Sequence, residues 1–153
     1  MPVIVGGTAF DAAGVRAARI GATAHASSPG HVSRLLDELP GSVAPAAPLR
    51  ADGAREAHAV VAVMSSLVGA VTARVRELGG TEALVVEDQV PHALGAMAAA
   101  LLTDDASIVA EARAWLDDVA RARRVDRVLV EELWRCAAFQ LRDYPLASAA
   151  LAA

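Results

Sequence analysis

The 153 residues hold 18 acidic against 14 basic side chains, for a formal net charge of −4 and a pI near 5.5, which argues against a nucleic-acid surface, because phosphate binding needs clustered positive charge. Hydrophobic residues make up 55% and aromatic ones only 3%, so the core must be built from Ala, Val and Leu, a composition that favours close-packed helices over a sheet-rich sandwich. The lone Cys136 excludes an internal disulfide and suits a reducing cytoplasm, while the apolar run from Leu94 to Leu102 is too short to span a bilayer.

In chain order, the run Pro2-Val3-Ile4-Val5 predicts a strand over 2–5 that leads into Gly6-Gly7. Paired glycines after a strand let backbone approach a ligand, because glycine lacks Cβ and accepts positive φ; the same pair also serves as an ordinary βα turn. A helix is expected near 11–19, a short extended piece at 22–25 and a second helix near 29–39. Only one clear strand is legible, and a parallel sheet needs neighbours beside it. The segment is therefore expected to pack elsewhere, pair with another chain or stay partly ordered. Residues 41–51 lie in a Pro/Ala-rich stretch that disfavours helix and reads as a linker.

From Asp52 the period turns helical, with Ala57, Val60, Val61, Met64, Leu67, Val68, Val71, Val75 and Leu78 on one apolar stripe. Asp52 is the expected N-cap and Gly79-Gly80 the stop. A helix is expected to be under way by Gln89 and to end at Leu102, with Pro91 in its first turn and Leu94, Met97, Leu101 and Leu102 inward. Asp104 or Asp105 then caps a helix whose buried side is Ile108, Ala112, Trp115, Leu116 and Val119, with Asp117 and Arg121 paired outside. The basic cluster Arg121, Arg123, Arg124 and Arg127 sits where that helix ends, a favourable place for cations. Asp126 opens the next helix, with Val125 and Val130 as a hydrophobic staple and Leu133, Trp134, Ala137 and Leu141 inward. Tyr144-Pro145 stops it, and 145–153 make a final short helix. Connections this short predict antiparallel neighbours, so 52–153 reads as a helical bundle.

The order Val3-Ile4-Val5-Gly6-Gly7-Thr8-Ala9-Phe10, then a helical stretch, then Ile20-Gly21-Ala22-Thr23-Ala24-His25-Ala26 and another helix resembles the C-terminal end of a cobalamin-binding domain. The helical half, through Glu87-Asp88-Gln89-Val90-Pro91-His92, Leu101-Leu102-Thr103-Asp104-Asp105, Trp115-Leu116, Ala122-Arg123-Arg124-Val125 and Leu141-Arg142-Asp143-Tyr144-Pro145, is similar to the helical region that follows that domain in actinobacterial proteins. The resemblance implies a mainly α chain with a partial flavodoxin-like α/β remnant over 1–40. It also implies that Gly6, Gly7 and Thr8 lie along the nucleotide tail of cobalamin. The family's Asp-x-His-x-x-Gly loop, whose histidine ligates cobalt, does not occur in these residues, and neither His25 nor His31 replaces it. The chain is thus expected to be N-terminally truncated relative to the family.

Glu87, Asp88 and His92 have the spacing to converge on one helical face as a base or ligand set; the alternative is that Asp88 caps a helix and His92 sits in its first turn. No metal-ligand motif accompanies them. Trp115 and Trp134 fit either a lid over a planar ligand or core filler, and Cys136 fits a buried small hydrophobe. No nucleophile set is legible, so catalysis is not expected. The reading is a non-enzymatic regulatory or accessory protein related to cobalamin-binding sensors, acting as a homodimer or with a protein partner. The alternative is a helical interaction or dimerisation module of a transcriptional or signalling system.

Overall fold

A computed structural model describes residues 2–7, 10, 13–39 and 48–152. The chain is mainly helical and divides into two compact units, residues 1–49 and 50–153. Residues 41–47 of the Pro/Ala linker lie outside the described residues, as do Pro40, Thr8, Ala9, Asp11 and Ala12.

In the first unit, strand β1 (Ile4–Gly6) is followed by helix α1 (Val15–Arg19), strand β2 (Ala24–Ala26) and helix α2 (Pro29–Glu38). The strands pair in parallel with Ile4 opposite Ala24, Val5 opposite His25 and Gly6 opposite Ala26. The expectation of a single strand is therefore corrected: the extended piece at 22–25 is a second strand, and it satisfies one edge of the first. Ala-His-Ala has little β-propensity of its own. Its place is held by the residues just before it, since the Val3 N–H donates to Thr23 Oγ1 at 2.9 Å and the Thr23 N–H donates back to the Val3 carbonyl at 2.8 Å. A parallel pair requires a crossover between its strands, and α1 is in that crossover.

The second unit comprises α3 (Ala51–Ala62), α4 (Met64–Gly79), α5 (Ala83–Glu87), α6 (Val90–Thr103), α7 (Ser107–Arg123), α8 (Arg127–Gln140) and α9 (Pro145–Ala152). Helix α6 is its centre, packed by α3, α4, α7 and α9. The sequence explains this position, because 90–103 contains no Asp, Glu, Lys or Arg, and a helix apolar all round is stable only when surrounded. Leu94 and Met97 are almost wholly buried there. Helix α8 lays Leu129, Leu133, Trp134 and Ala137 into the same core and packs on α4.

The long stripe expected from Asp52 to Leu78 is two helices, bent by 62° at Val63. The Val63 N–H bonds the Val60 carbonyl three residues back, at 3.2 Å. Valines at 60, 61 and 63 weaken helix locally through their restricted χ1, and the two halves serve different neighbours: α3 packs on α6, α4 chiefly on α8. The break shifts the phase of the stripe, so Ala57, Val60, Leu67, Val71 and Val75 are buried while Val61 and Leu78 are exposed. At the N-terminus, Arg50 rather than Asp52 occupies the cap position. Asp52 lies in the first turn, where it pairs with the Arg50 guanidinium and takes the Gly53 N–H at 2.9 Å. Gly80, at φ 53°, ends α4, a conformation glycine adopts at little cost.

Helix α5 was not expected from the sequence. Its first residues are tied to the start of α8, because Glu82 Oε2 accepts the Asp126 N–H at 3.2 Å. Asp105 Oδ1 accepts the Ser107 N–H at 3.1 Å to open α7, and Asp126 Oδ1 accepts the Val128 N–H at 2.9 Å to open α8. Val125 and Val130 are both buried beside it. The pairing of Asp117 with Arg121 gives way to Asp118 with Arg121 at i,i+3. Among the described residues, no single helix is long and apolar enough to cross a membrane.

Candidate functional site

The turn after β1 separates its two glycines into different roles. A Cβ on Gly6 would lie 2.8 Å from the Ala26 carbonyl oxygen, so the bare backbone at Gly6 is already required by the neighbouring strand. Gly7 is different. Its φ is 107°, nothing among the described residues lies within 4 Å of its missing Cβ, and its carbonyl accepts the Phe10 N–H at 3.2 Å. Gly7 thus leaves open space beside exposed backbone at the C-terminal end of a parallel strand, the end at which open α/β sheets hold ligands. His25 sits on β2 with Nε2 buried and without a hydrogen-bond partner among the described residues, its ring 6.0 Å from that of Phe10.

Of the three residues expected along a corrinoid tail, Gly6 and Gly7 are described and Thr8 lies outside the described residues. Gly7 accommodates close approach, but no motif supplies a cobalt ligand. Among the described residues, no group of three or more His, Cys, Asp or Glu side chains is arranged to hold a metal ion.

Glu87, Asp88 and His92 do not form one helical face, because a helix break falls between them. Glu87 ends α5 and forms a two-pronged ion pair with Arg76, at 3.0 and 2.6 Å. Asp88 follows α5 as its C-terminal cap residue, and Gln89, not Asp88, precedes α6 as its N-cap residue. His92 is exposed in the first turn of α6, with its ring edge-on to Trp115 at 6.3 Å. Trp115 is 48% exposed, which corrects its expected inward position: α7 turns Val109, Leu116 and Ala120 to the core instead. Trp134 is buried as expected, with the Arg113 guanidinium 5.0 Å from its ring centroid. The two tryptophans lie on different helices with opposite exposures.

A third group of residues escaped the sequence reading. Glu132 lies on the buried side of α8, its side chain 8% exposed, and receives Arg74 Nε from α4 at 2.7 Å and Arg135 Nε from its own helix at 2.7 Å. Burial pushes the carboxyl up, but the hydrogen bonds from Arg74 and Arg135 outweigh it and hold the group below its ordinary pKa. Arg74 Nη1 also reaches Glu77, at 3.0 Å. Beside this cluster is a surface cavity of about 380 Å³ lined by Ala70, Arg74, Glu132, Arg135, Cys136, Phe139 and Gln140. Cys136 is half-buried, and burial raises its thiol pKa, keeping it protonated. The signal for Glu132 was present in the sequence: Leu129, Glu132, Leu133 and Cys136 fall at i, i+3, i+4 and i+7, which puts an acid inside an apolar stripe.

No protein-family model matches the chain, and no curated protein matches it.

Proposed function

We propose that this chain is a non-enzymatic regulatory or accessory protein related to cobalamin-binding sensors, its N-terminal unit contributing a tail-side turn and its helical unit serving protein association. The observation that carries the reading is the β-α-β-α order with parallel strands and an open Gly7 at the end of β1, followed by a helical unit. That order supports descent from a flavodoxin-like corrinoid fold, in which such a turn lies along the nucleotide tail. Lacking a cobalt-side loop, the chain by itself binds cobalamin weakly or not at all. Self-association or a protein partner is part of the proposal, because β1 presents a second edge that β2 does not occupy.

Equilibrium dialysis of the purified chain against hydroxocobalamin, and against cobinamide, which lacks the nucleotide tail, tests the reading. The expected result is weak retention of hydroxocobalamin, none of cobinamide, and loss of that retention in Gly7→Val. Saturable micromolar binding abolished by Gly7→Val would overturn the statement that binding is weak. Measurable retention of the two corrinoids that is equal and unchanged by Gly7→Val would remove the corrinoid relationship and leave a helical interaction or dimerisation module.

A further inference from the structure

We propose that the cavity between α4 and α8 is a binding site for a small aromatic carboxylate, held by Arg74 and Arg135 and covered by the Phe139 ring. The proposal is independent of the corrinoid reading and concerns a different part of the chain.

The argument begins with the cost of the buried acid. Placing the Glu132 carboxylate in a helix interface carries a desolvation penalty that its pairing must offset, and an apolar residue of similar size is often as stable there. What the carboxylate does provide is orientation. One oxygen receives Arg74 Nε and the other receives two nitrogens of Arg135, Nε and Nη2, so two guanidinium groups from different helices are anchored on one acid. Each retains an unused donor. Arg74 Nη2 and Arg135 Nη1 have no acceptor among the described residues, although both side chains line the cavity.

The charge and shape of the lining then select the ligand. Two guanidinium groups line the wall with one carboxylate, and Cys136 and Gln140 are neutral; with Glu77 on Arg74 the cluster balances in charge, so what it offers an anion is N–H donors fixed in direction. A planar carboxylate matches guanidinium donors in geometry and charge. The apolar part of the lining is Ala70 and the Phe139 ring, each one helical turn from an arginine of the cluster, and the ring is 61% exposed. Arg142 stacks against Phe139 with its guanidinium carbon 4.4 Å from the ring centroid, a contact that restrains the ring, while its charge is met by Asp143 at 3.8 Å. A volume of about 380 Å³ stands at the small end of ligand pockets, the range for a single ring bearing one acid group.

Benzoate is the probe, followed by amide chemical shifts of the full chain, with benzyl alcohol as the ring without the charge and acetate as the charge without the ring. Saturable shifts confined to the amides of Ala70, Arg74, Arg135, Cys136, Phe139 and Gln140 are expected with benzoate, and binding at least about ten-fold weaker with either control. Arg135→Gln and Phe139→Ala should each weaken benzoate by about three- to ten-fold. Phe139 is exposed, so its variant remains informative if Arg135→Gln fails to fold. Absence of saturable shifts with benzoate, or shifts unchanged by Phe139→Ala, would overturn the proposal and leave the ion cluster as a tie between α4 and α8.

Discussion

At the scale of single residues, the two tryptophans show how little residue type decides alone. Trp134 has its ring inside the core of the helical unit, whereas Trp115 is half in solvent against His92. Trp134→Ala should therefore destabilise by about 3–5 kcal/mol, the range for deleting a buried aromatic, and Trp115→Ala by less than about 1 kcal/mol, as read from urea unfolding midpoints. Comparable losses from both would contradict the burial of one and the exposure of the other. Glu132 carries a second residue-scale expectation. Its folded pKa is depressed by Arg74 and Arg135 against the opposing effect of burial, so its stabilising contribution is present above the ordinary carboxylate range and is lost as pH falls through the folded value. The stability difference between the wild-type chain and Glu132→Gln should accordingly shrink on acidification from neutral pH. A difference that stays constant down to pH 3 would mean that the ion cluster contributes nothing through its charge.

Among the elements, start signals acted locally where the chain supplied both cap and donor, as at Asp126, whose carboxylate takes the Val128 N–H. Removing that cap with Asp126→Ala should cost about 1 kcal/mol, measured as a lowered thermal midpoint, while Asp126→Asn should retain most of it. An alanine variant as stable as the parent would show that the buried Val125 and Val130 fix the start of α8 without the cap. Elsewhere the support comes from a distant element. Glu56 on α3 accepts the Ala147 N–H in the first turn of α9 at 2.6 Å, a bond across 91 positions that no local rule anticipates. Gly53 is similar, since a Cβ there would stand 2.6 Å from the Leu101 carbonyl oxygen on α6; its absence of side chain lets α3 approach the central helix.

For the whole molecule, the division into residues 1–49 and 50–153 has a thermodynamic consequence. The helical unit owns a continuous buried cluster running from Ala57 to Leu151, so residues 50–153 should fold alone, with strong far-UV helicity and a cooperative melt, in the absence of any ligand. A non-cooperative melt would mean that the bundle depends on the N-terminal unit. The same deletion tests the proposed association: if β1 supplies the pairing edge, the full chain should sediment as a dimer or with its partner, and residues 50–153 should not. A full chain that is strictly monomeric at tens of micromolar without a partner would remove self-association.

The helices from α6 to α9 were legible in the sequence because their determinants are local: the uncharged run 90–103, the aspartates ahead of α7 and α8, and Pro145 after Tyr144 act within a turn or two of themselves. The N-terminal β-α-β-α order was partly legible for the same reason, although the pairing of Ala24–Ala26 with Ile4–Gly6 required a partner strand some twenty positions away. What the tertiary structure decided was every feature set by a second element. The bend at Val63 serves different packing partners, the exposure of Trp115 follows from which face of α7 meets the core, and Glu87 finds Arg76 rather than His92 because a helix break intervenes. Periodicity identifies an apolar face but not its neighbour, so Glu132 showed only as an acid in an apolar stripe until α4 brought Arg74 to it.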